Sequence, residues 1–159
     1  ALNHLVTTRF RSDELQIIAF GRHAQVVTPT ELAGLDGVWE QGTNLHHALL
    51  LAERHLRRHP NAQPVVMVVT DGEPTAHLEP DGFAYFDYPP TARTLGLTVR
   101  ELDSVARFGA RVTFFRLGDD PGLARVVDRL AERVGGRVVA PGLDGLGAAV
   151  VSDYVRRRR

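Results

Sequence analysis

Two features missing from this 159-residue chain each exclude a class of chemistry. Without cysteine there is no disulfide framework, no thiol nucleophile and no zinc site built on thiolates. Lysine is also absent, so all 19 basic residues are arginine, which excludes a Walker A lysine, a Schiff-base lysine and a Ser–Lys dyad. No apolar run approaches the roughly 20 residues that a membrane-spanning helix needs, and no signal peptide is visible.

An excess of charge of either sign is lacking too, because 19 acidic residues balance the 19 basic ones. No global field therefore attracts nucleic acid or a membrane surface. The apolar fraction of 43% and the charged fraction of 24% are typical of a soluble globular protein. We expect a single cytoplasmic domain over residues 1–159, with neither nucleic acid nor membrane as a partner.

The strongest strand signal in the chain is the run of five apolar residues from Val65 to Val69. Such a run predicts a strand that is buried on both faces. Thr70-Asp71-Gly72 follows it and reads as a turn that carries a carboxylate. Because ligands bind outside the carboxyl ends of strands in open α/β sheets, Asp71 falls where a site is expected.

A second signal lies at Gly42-Thr43-Asn44-Leu45, where apolar residues begin to recur at helical spacing. The pattern predicts a helix whose N-terminus carries the Thr43 hydroxyl. A hydroxyl and a carboxylate at one sheet edge suit a hard divalent cation such as Mg²⁺, which takes oxygen ligands. Spacing alone favours the simpler interpretation that Thr43 caps the helix and Asp71 occupies a turn.

The remaining patterns alternate between strands and helices. Residues 71–93 read as a long irregular stretch with four aromatic residues, and Thr98 and Glu101 have the form of a capping box that opens a helix. Other predicted strands cover 14–20, 24–28, 111–117 and 137–140, and other predicted helices cover 31–37, 43–58, 120–134 and the end of the chain. This order predicts an α/β fold with a doubly wound, mostly parallel sheet flanked by helices and one antiparallel edge strand.

The segment from Gly42 to the predicted strand and Glu73 resembles the second and third loops of a von Willebrand factor type A (VWA) domain. The resemblance extends over nearly the whole chain. Residues 85–90 and 153–159 look like bacterial VWA proteins that accompany MoxR-type AAA+ ATPases and resemble the D subunit of magnesium chelatase.

The resemblance implies that Thr43 and Asp71 are ligands of a metal-ion-dependent adhesion site. It implies a non-enzymatic protein-binding module in which a carboxylate of the partner completes the coordination of Mg²⁺ or Mn²⁺. The MoxR-like features imply an AAA+ ATPase as partner and a role in complex assembly or metal-cofactor insertion.

One loop of the family pattern, the first one with the sequence Asp-x-Ser-x-Ser, is absent from this chain. The opening residues Leu2, Leu5 and Val6 read as the tail of a helix, so we expect an N-terminally truncated domain without its first central strand. Metal binding is then expected only if upstream residues supply that loop. The alternatives are a structural domain without metal, or a metal-assisted hydrolase or phosphoryl-transfer enzyme that uses Asp71 and one of the loop acids Glu73, Glu79, Asp81 and Asp87.

Overall fold

The computed structural model describes residues 13–34, 41–142 and 145–157. In chain order its elements are β1 (Ile17–Phe20), β2 (Ala24–Val27), α1 (Pro29–Ala33), α2 (Leu45–Arg58), β3 (Val65–Thr70), β4 (Ala76–Leu78), β5 (Ala84–Phe86), α3 (Ala92–Arg107), β6 (Arg111–Arg116), α4 (Pro121–Arg133), β7 (Arg137–Val139) and α5 (Leu146–Arg157). The contacts divide the chain into two compact units. We call them the sheet unit, with the described residues of Ala1–Leu15, Val65–Asp71 and Arg111–Arg159, and the helical unit, with those of Gln16–Pro64 and Gly72–Ala110.

The sheet unit is built on three parallel strands in the order β3-β6-β7. Strand β6 lies in the middle, and its residues Val112, Phe114 and Phe115 are buried. Helix α4 packs on β6 and β7, and α5 packs on β6 and β3. Parallel strands flanked by helices are the arrangement that the alternating pattern predicts, so the predicted α/β class is confirmed.

Strand β3 differs from its prediction in burial. Val68 is buried, but Val69 is 37% exposed and Val65 to Met67 are only half-buried. In the described part of the chain β3 forms an edge of the parallel sheet. An apolar run reports a tendency to be buried, and it does not show which residues provide the cover.

The end of helix α4 is fixed by a glycine pair. Gly135 has a φ of +64°, and the Gly136 N–H donates to the Ala131 carbonyl at 2.8 Å. This left-handed ending is common at helix C-termini. It brings Gly136 so close to the sheet that an added Cβ would lie 2.5 Å from the carbonyl oxygen of Val112.

We expect Gly136→Ala to lower the free energy of unfolding by about 1–3 kcal/mol, because backbone must move to admit the methyl group. At Gly135 an added Cβ meets no atom within 4 Å, so Gly135→Ala carries only the left-handed backbone cost of about 1 kcal/mol. Urea unfolding of both variants measures the difference. A Gly136→Ala protein at least as stable as Gly135→Ala would contradict this account.

The helical unit pairs α2 with α3 and adds two antiparallel hairpins, β1–β2 and β4–β5. The hairpin predicted near the start is confirmed, with Ile17 opposite Val27. The prediction that residues 71–93 are irregular is wrong, because β4 and β5 pair within them and α3 begins at Ala92. The helix predicted over 31–37 appears as α1, and residues 35–40 lie outside the described residues.

The capping box predicted at Thr98 and Glu101 is also wrong. Helix α3 begins two turns earlier, at the N-cap Thr91, whose hydroxyl accepts a hydrogen bond from the Thr94 N–H. Thr98 is buried inside the helix and its hydroxyl donates to the Thr94 carbonyl at 2.8 Å. Thr28 does form a capping box at the start of α1, where Pro29 follows at the first helical position.

Candidate functional site

Thr43 lies immediately before helix α2, but it does not cap the helix. Asn44 is the N-cap: it is fully buried, its side-chain oxygen accepts from the His47 N–H at 2.8 Å and its amide donates to the Arg22 carbonyl. The Thr43 N–H donates to the Thr75 hydroxyl at 3.0 Å, and its carbonyl accepts from Ala76. The Thr43 backbone is therefore fixed, while its hydroxyl joins no hydrogen bond among the described residues.

Two glycines allow close packing around Thr43. Gly42 has a φ of +121°, and a Cβ there would lie 3.0 Å from the Phe86 ring. A Cβ on Gly72 would lie 3.1 Å from the Thr43 hydroxyl oxygen. The hydroxyl thus lies against the residue that directly follows Asp71 in the sequence.

Asp71 directly follows strand β3, as the sequence predicts, and its side chain is exposed. Within the part of the chain that the structure describes, no hydrogen bond or ion pair occupies its carboxylate. Thr43 belongs to the helical unit and Asp71 to the sheet unit. Each offers an oxygen donor of the kind that Mg²⁺ prefers, so the donor chemistry fits the ion. No group of three His, Asp or Glu side chains that could hold a metal occurs in the described ranges.

The adjacent residues His46 and His47 have packing roles. His46 is 8% exposed, and its Nδ1 accepts from the Leu78 N–H at 3.0 Å. The Nδ1 of His47 accepts from the Ala24 N–H at 2.9 Å. Both rings therefore connect α2 to a hairpin as neutral hydrogen-bond acceptors. Burial, with smaller contributions from the neighbouring His77 and His47, lowers the pKa of His46 to about 4.

His77, which was not among the residues predicted from the sequence, is buried at the centre of a series of hydrogen-bonded polar side chains. Its Nδ1 lies 2.8 Å from the Thr94 hydroxyl and its Nε2 lies 2.8 Å from the Glu79 carboxylate. Arg93 binds Glu79 through two hydrogen bonds, and the Arg93 guanidinium together with His77 lowers the pKa of Glu79. In the sequence, apolar and polar residues alternate from Thr75 to Glu79. This alternation was the signal that could have pointed to a short strand carrying His77.

These distances resemble those of a nucleophile–histidine–carboxylate triad, but the accessibility does not. His77 and Thr94 are both 0% exposed, so no substrate reaches the Thr94 hydroxyl in this conformation. Glu79, one of the acids considered for hydrolase chemistry, already bonds to both His77 and Arg93. The chain of hydrogen bonds therefore fastens hairpin β4–β5 to helix α3.

A cleft of about 260 Å³ opens between helices α2 and α3, lined by Glu53, Arg57, Ser104, Arg107 and Phe108. Beside it Glu101 is 8% exposed and shares a hydrogen bond with Glu53. Burial, together with the adjacent Glu53 carboxylate, raises the pKa of Glu101 to about 8. The two acids form a pair in which Glu101 holds the proton at neutral pH.

We expect Glu101→Gln to remove a loss of stability that the wild type shows as pH rises from about 4.5 to about 8. The folded chain keeps the Glu101 proton up to about pH 8, whereas the unfolded chain loses it near pH 4.5. Folded protein binds more protons in this window, so wild-type stability falls as pH rises. Glutamine donates to Glu53 without titrating. Urea unfolding from about pH 5 to about pH 9 should show an advantage of Glu101→Gln that grows with pH up to about pH 8. A difference that stays constant with pH would contradict the assignment of the proton to Glu101.

Comparisons with known proteins agree with this fold. A family model described as "Rv0959-like protein, vWA domain" matches residues 1–155. The uncharacterized protein Rv0959 of Mycobacterium tuberculosis (strain ATCC 25618 / H37Rv) is 71% identical over 163 residues, as is the uncharacterized protein Mb0984 of Mycobacterium bovis. Each alignment covers 100% of this chain and 24% of the relative. The chain therefore spans about a quarter of the length of the curated relatives it matches.

Among the described residues, every helix is too short or too polar to cross a bilayer. The VWA resemblance inferred from Thr43, Asp71 and their surroundings is confirmed by a match over almost the entire chain. The chain belongs to the VWA-domain family of Rv0959-like proteins.

Proposed function

We propose that this chain is a non-enzymatic protein-binding module that uses Thr43 and Asp71 in a metal-dependent attachment point. A VWA domain is itself suggestive of protein interaction. The proposed partner offers a carboxylate and is an AAA+ ATPase, and the proposed role is complex assembly or metal-cofactor insertion. Residues upstream of this chain would supply the remaining loop.

The observation that carries the proposal is that the Thr43 hydroxyl joins no hydrogen bond among the described residues. A threonine before a helix ordinarily uses its hydroxyl as the cap. Here Asn44 performs that task, and Thr43 is held by its backbone bonds to Thr75 and Ala76. A fixed backbone with an uncommitted hydroxyl is suited to binding a ligand, because little ordering is needed when the ligand arrives.

The donor set also supports a hard cation. When bound, Mg²⁺ or Mn²⁺ would supply positive charge and open coordination positions to an acidic side chain of the partner. Thr43 would contribute a neutral oxygen and Asp71 a negative one. The Gly72 backbone leaves no spare room beside the Thr43 hydroxyl, since an added Cβ would lie 3.1 Å away.

The test is partner binding by the longer protein, with a MoxR-type AAA+ ATPase of the same organism immobilised on a biosensor. We expect binding in Mg²⁺ that EDTA abolishes. Thr43→Val has nearly the same shape without the oxygen donor and should lose binding, while Thr43→Ser keeps the hydroxyl and should retain it. Gly72→Ala should weaken binding because its methyl group displaces the Thr43 hydroxyl.

Two outcomes contradict the proposal. Binding that is equal in Mg²⁺ and EDTA would remove the metal from the interaction. Equal binding by Thr43→Val and Thr43→Ser would show that the hydroxyl oxygen is not a ligand. Thermal unfolding of each variant serves as the control for folding.

A further inference from the structure

Three aromatic rings are exposed on and beside hairpin β4–β5. Phe83 is 73% exposed, Tyr88 is 70% exposed and Tyr85 is 40% exposed. Single exposed apolar residues are ordinary on protein surfaces, but a local concentration of large ones marks interaction sites. Phe83 and Tyr88 are the two most exposed large apolar residues of the described chain. We call the segment 79–88 with these rings the aromatic hairpin.

The backbone beneath these rings is held by several hydrogen bonds. The Glu79 N–H donates to the Phe83 carbonyl at 2.8 Å, and the Gly82 N–H donates to the Glu79 carbonyl at 3.0 Å. The Phe83 N–H donates to the Asp81 carboxylate at 3.0 Å. Such a turn presents its side chains without the ordering cost that a flexible loop would add on binding.

The ring of Tyr85 packs against a buried side chain. His77 stacks on it with a centroid distance of 5.1 Å and an interplanar angle of 26°. The hydrogen bonds of His77 to Thr94 and Glu79 fix the imidazole. The inner face of Tyr85 is therefore occupied, and its exposed fraction is presented on a rigid base.

The charge of the aromatic hairpin is negative. Asp81 and Asp87 are exposed, and among the described residues neither joins an ion pair. Glu79 is different, because Arg93 neutralises it through two hydrogen bonds of 2.6 and 2.9 Å. Exposed rings beside uncompensated carboxylates are complementary to a flat cation that stacks and donates hydrogen bonds.

We propose that the aromatic hairpin is a docking surface for an arginine-bearing segment of a protein partner. A guanidinium stacks on aromatic faces and pairs with carboxylates in a planar geometry that an ammonium does not reproduce. The same unit already contains such a contact, with Arg22 5.2 Å from the centroid of the Phe86 ring. This surface shares no residue with Thr43 and Asp71 and needs no metal.

The test measures fluorescence anisotropy of a labelled peptide of alternating arginine and glycine, in EDTA and at low ionic strength. We expect the wild-type chain to bind it and the double variant Phe83→Ala/Tyr88→Ala to bind about tenfold more weakly. The double variant Asp81→Asn/Asp87→Asn should also weaken binding, because it removes both negative charges. The amide oxygen that replaces the Asp81 carboxylate can still accept the hydrogen bond from the Phe83 N–H, so the turn is kept. The same peptide with lysine in place of arginine should bind more weakly to the wild type.

Matched controls are Leu32→Ala, which removes an exposed apolar side chain elsewhere, and Asp119→Asn, which removes an exposed charge elsewhere. Neither should change the affinity. Absence of arginine-peptide binding, equal binding by the double aromatic variant, or equal affinity for the lysine peptide would each overturn the proposal. Because EDTA is present throughout, failure of the metal proposal leaves this result unaffected.

Discussion

Replacing Asp153 by alanine is expected to lower the free energy of unfolding by about 3 kcal/mol or more. Asp153 is 4% exposed and lies on helix α5, facing two arginines of the sheet unit. Its Oδ1 is 3.4 Å from Arg137 Nη1 and 3.8 Å from Arg157 Nε. Arg157 also donates to the Thr113 hydroxyl, so the carboxylate joins α5, β6 and β7 through one network.

The expected loss of stability is large because Asp153→Ala leaves the guanidinium groups of Arg137 and Arg157 without their carboxylate partner. The Arg157 side chain is only 16% exposed, so water replaces the lost carboxylate poorly. Asp128→Ala makes the same chemical change at an exposed site on helix α4 and should alter stability by about 0.5 kcal/mol or less. Equal urea midpoints for the two variants would contradict the structural role of Asp153.

Acidification is expected to destabilise the helical unit through His46. The pKa of His46 is about 4 in the folded chain against an ordinary value of 6.5, chiefly because burial disfavours the charged ring. Between these pH values the unfolded chain binds a proton that the folded chain does not, so stability falls as pH decreases. The difference between the two pKa values of His46 corresponds to about 3 kcal/mol of unfolding free energy. This contribution to stability is fully lost by about pH 4. His47, whose pKa is lowered by burial first, acts in the same direction.

A specific substitution separates His46 from the other titrating groups. His46→Asn places an amide oxygen near the position of Nδ1, where it can accept from the Leu78 N–H. The variant has no proton to gain, so its free energy of unfolding should decline less between pH 6.5 and 4 than that of the wild type. Parallel curves for the two proteins, measured by urea unfolding at each pH, would show that His46 does not carry the acid response.

Local signals in the sequence predicted those elements whose formation depends on residues close to them in the sequence. The apolar run formed β3 where expected, and the helix predicted over 120–134 formed as α4, with Asp120 as its N-cap and Pro121 at the first helical position. Hairpin β4–β5 was missed because its strands are three residues long and depend on contacts of His77 with helix α3. Short strands of this kind have too few residues to establish a period.

The candidate site shows the same division between local and distant information. The position of Asp71 after β3 follows from the sequence, whereas the environment of Thr43 does not. Its backbone partner Thr75 is 32 residues away, and Asn44 takes the cap that helical spacing assigned to Thr43. Both residues could be named from the sequence, but the uncommitted state of the hydroxyl required the fold.

The most direct measurement of the central claim is calorimetric titration of Mg²⁺ and Mn²⁺ into the chain extended upstream and into its Asp71→Ala and Thr43→Val variants. The account predicts heat of binding for the extended wild type and its loss in both variants, with Thr43→Ser retaining it. The 159-residue chain should bind more weakly or not at all. Absence of metal binding by the extended wild type would contradict the claim, as would unchanged binding after Asp71→Ala.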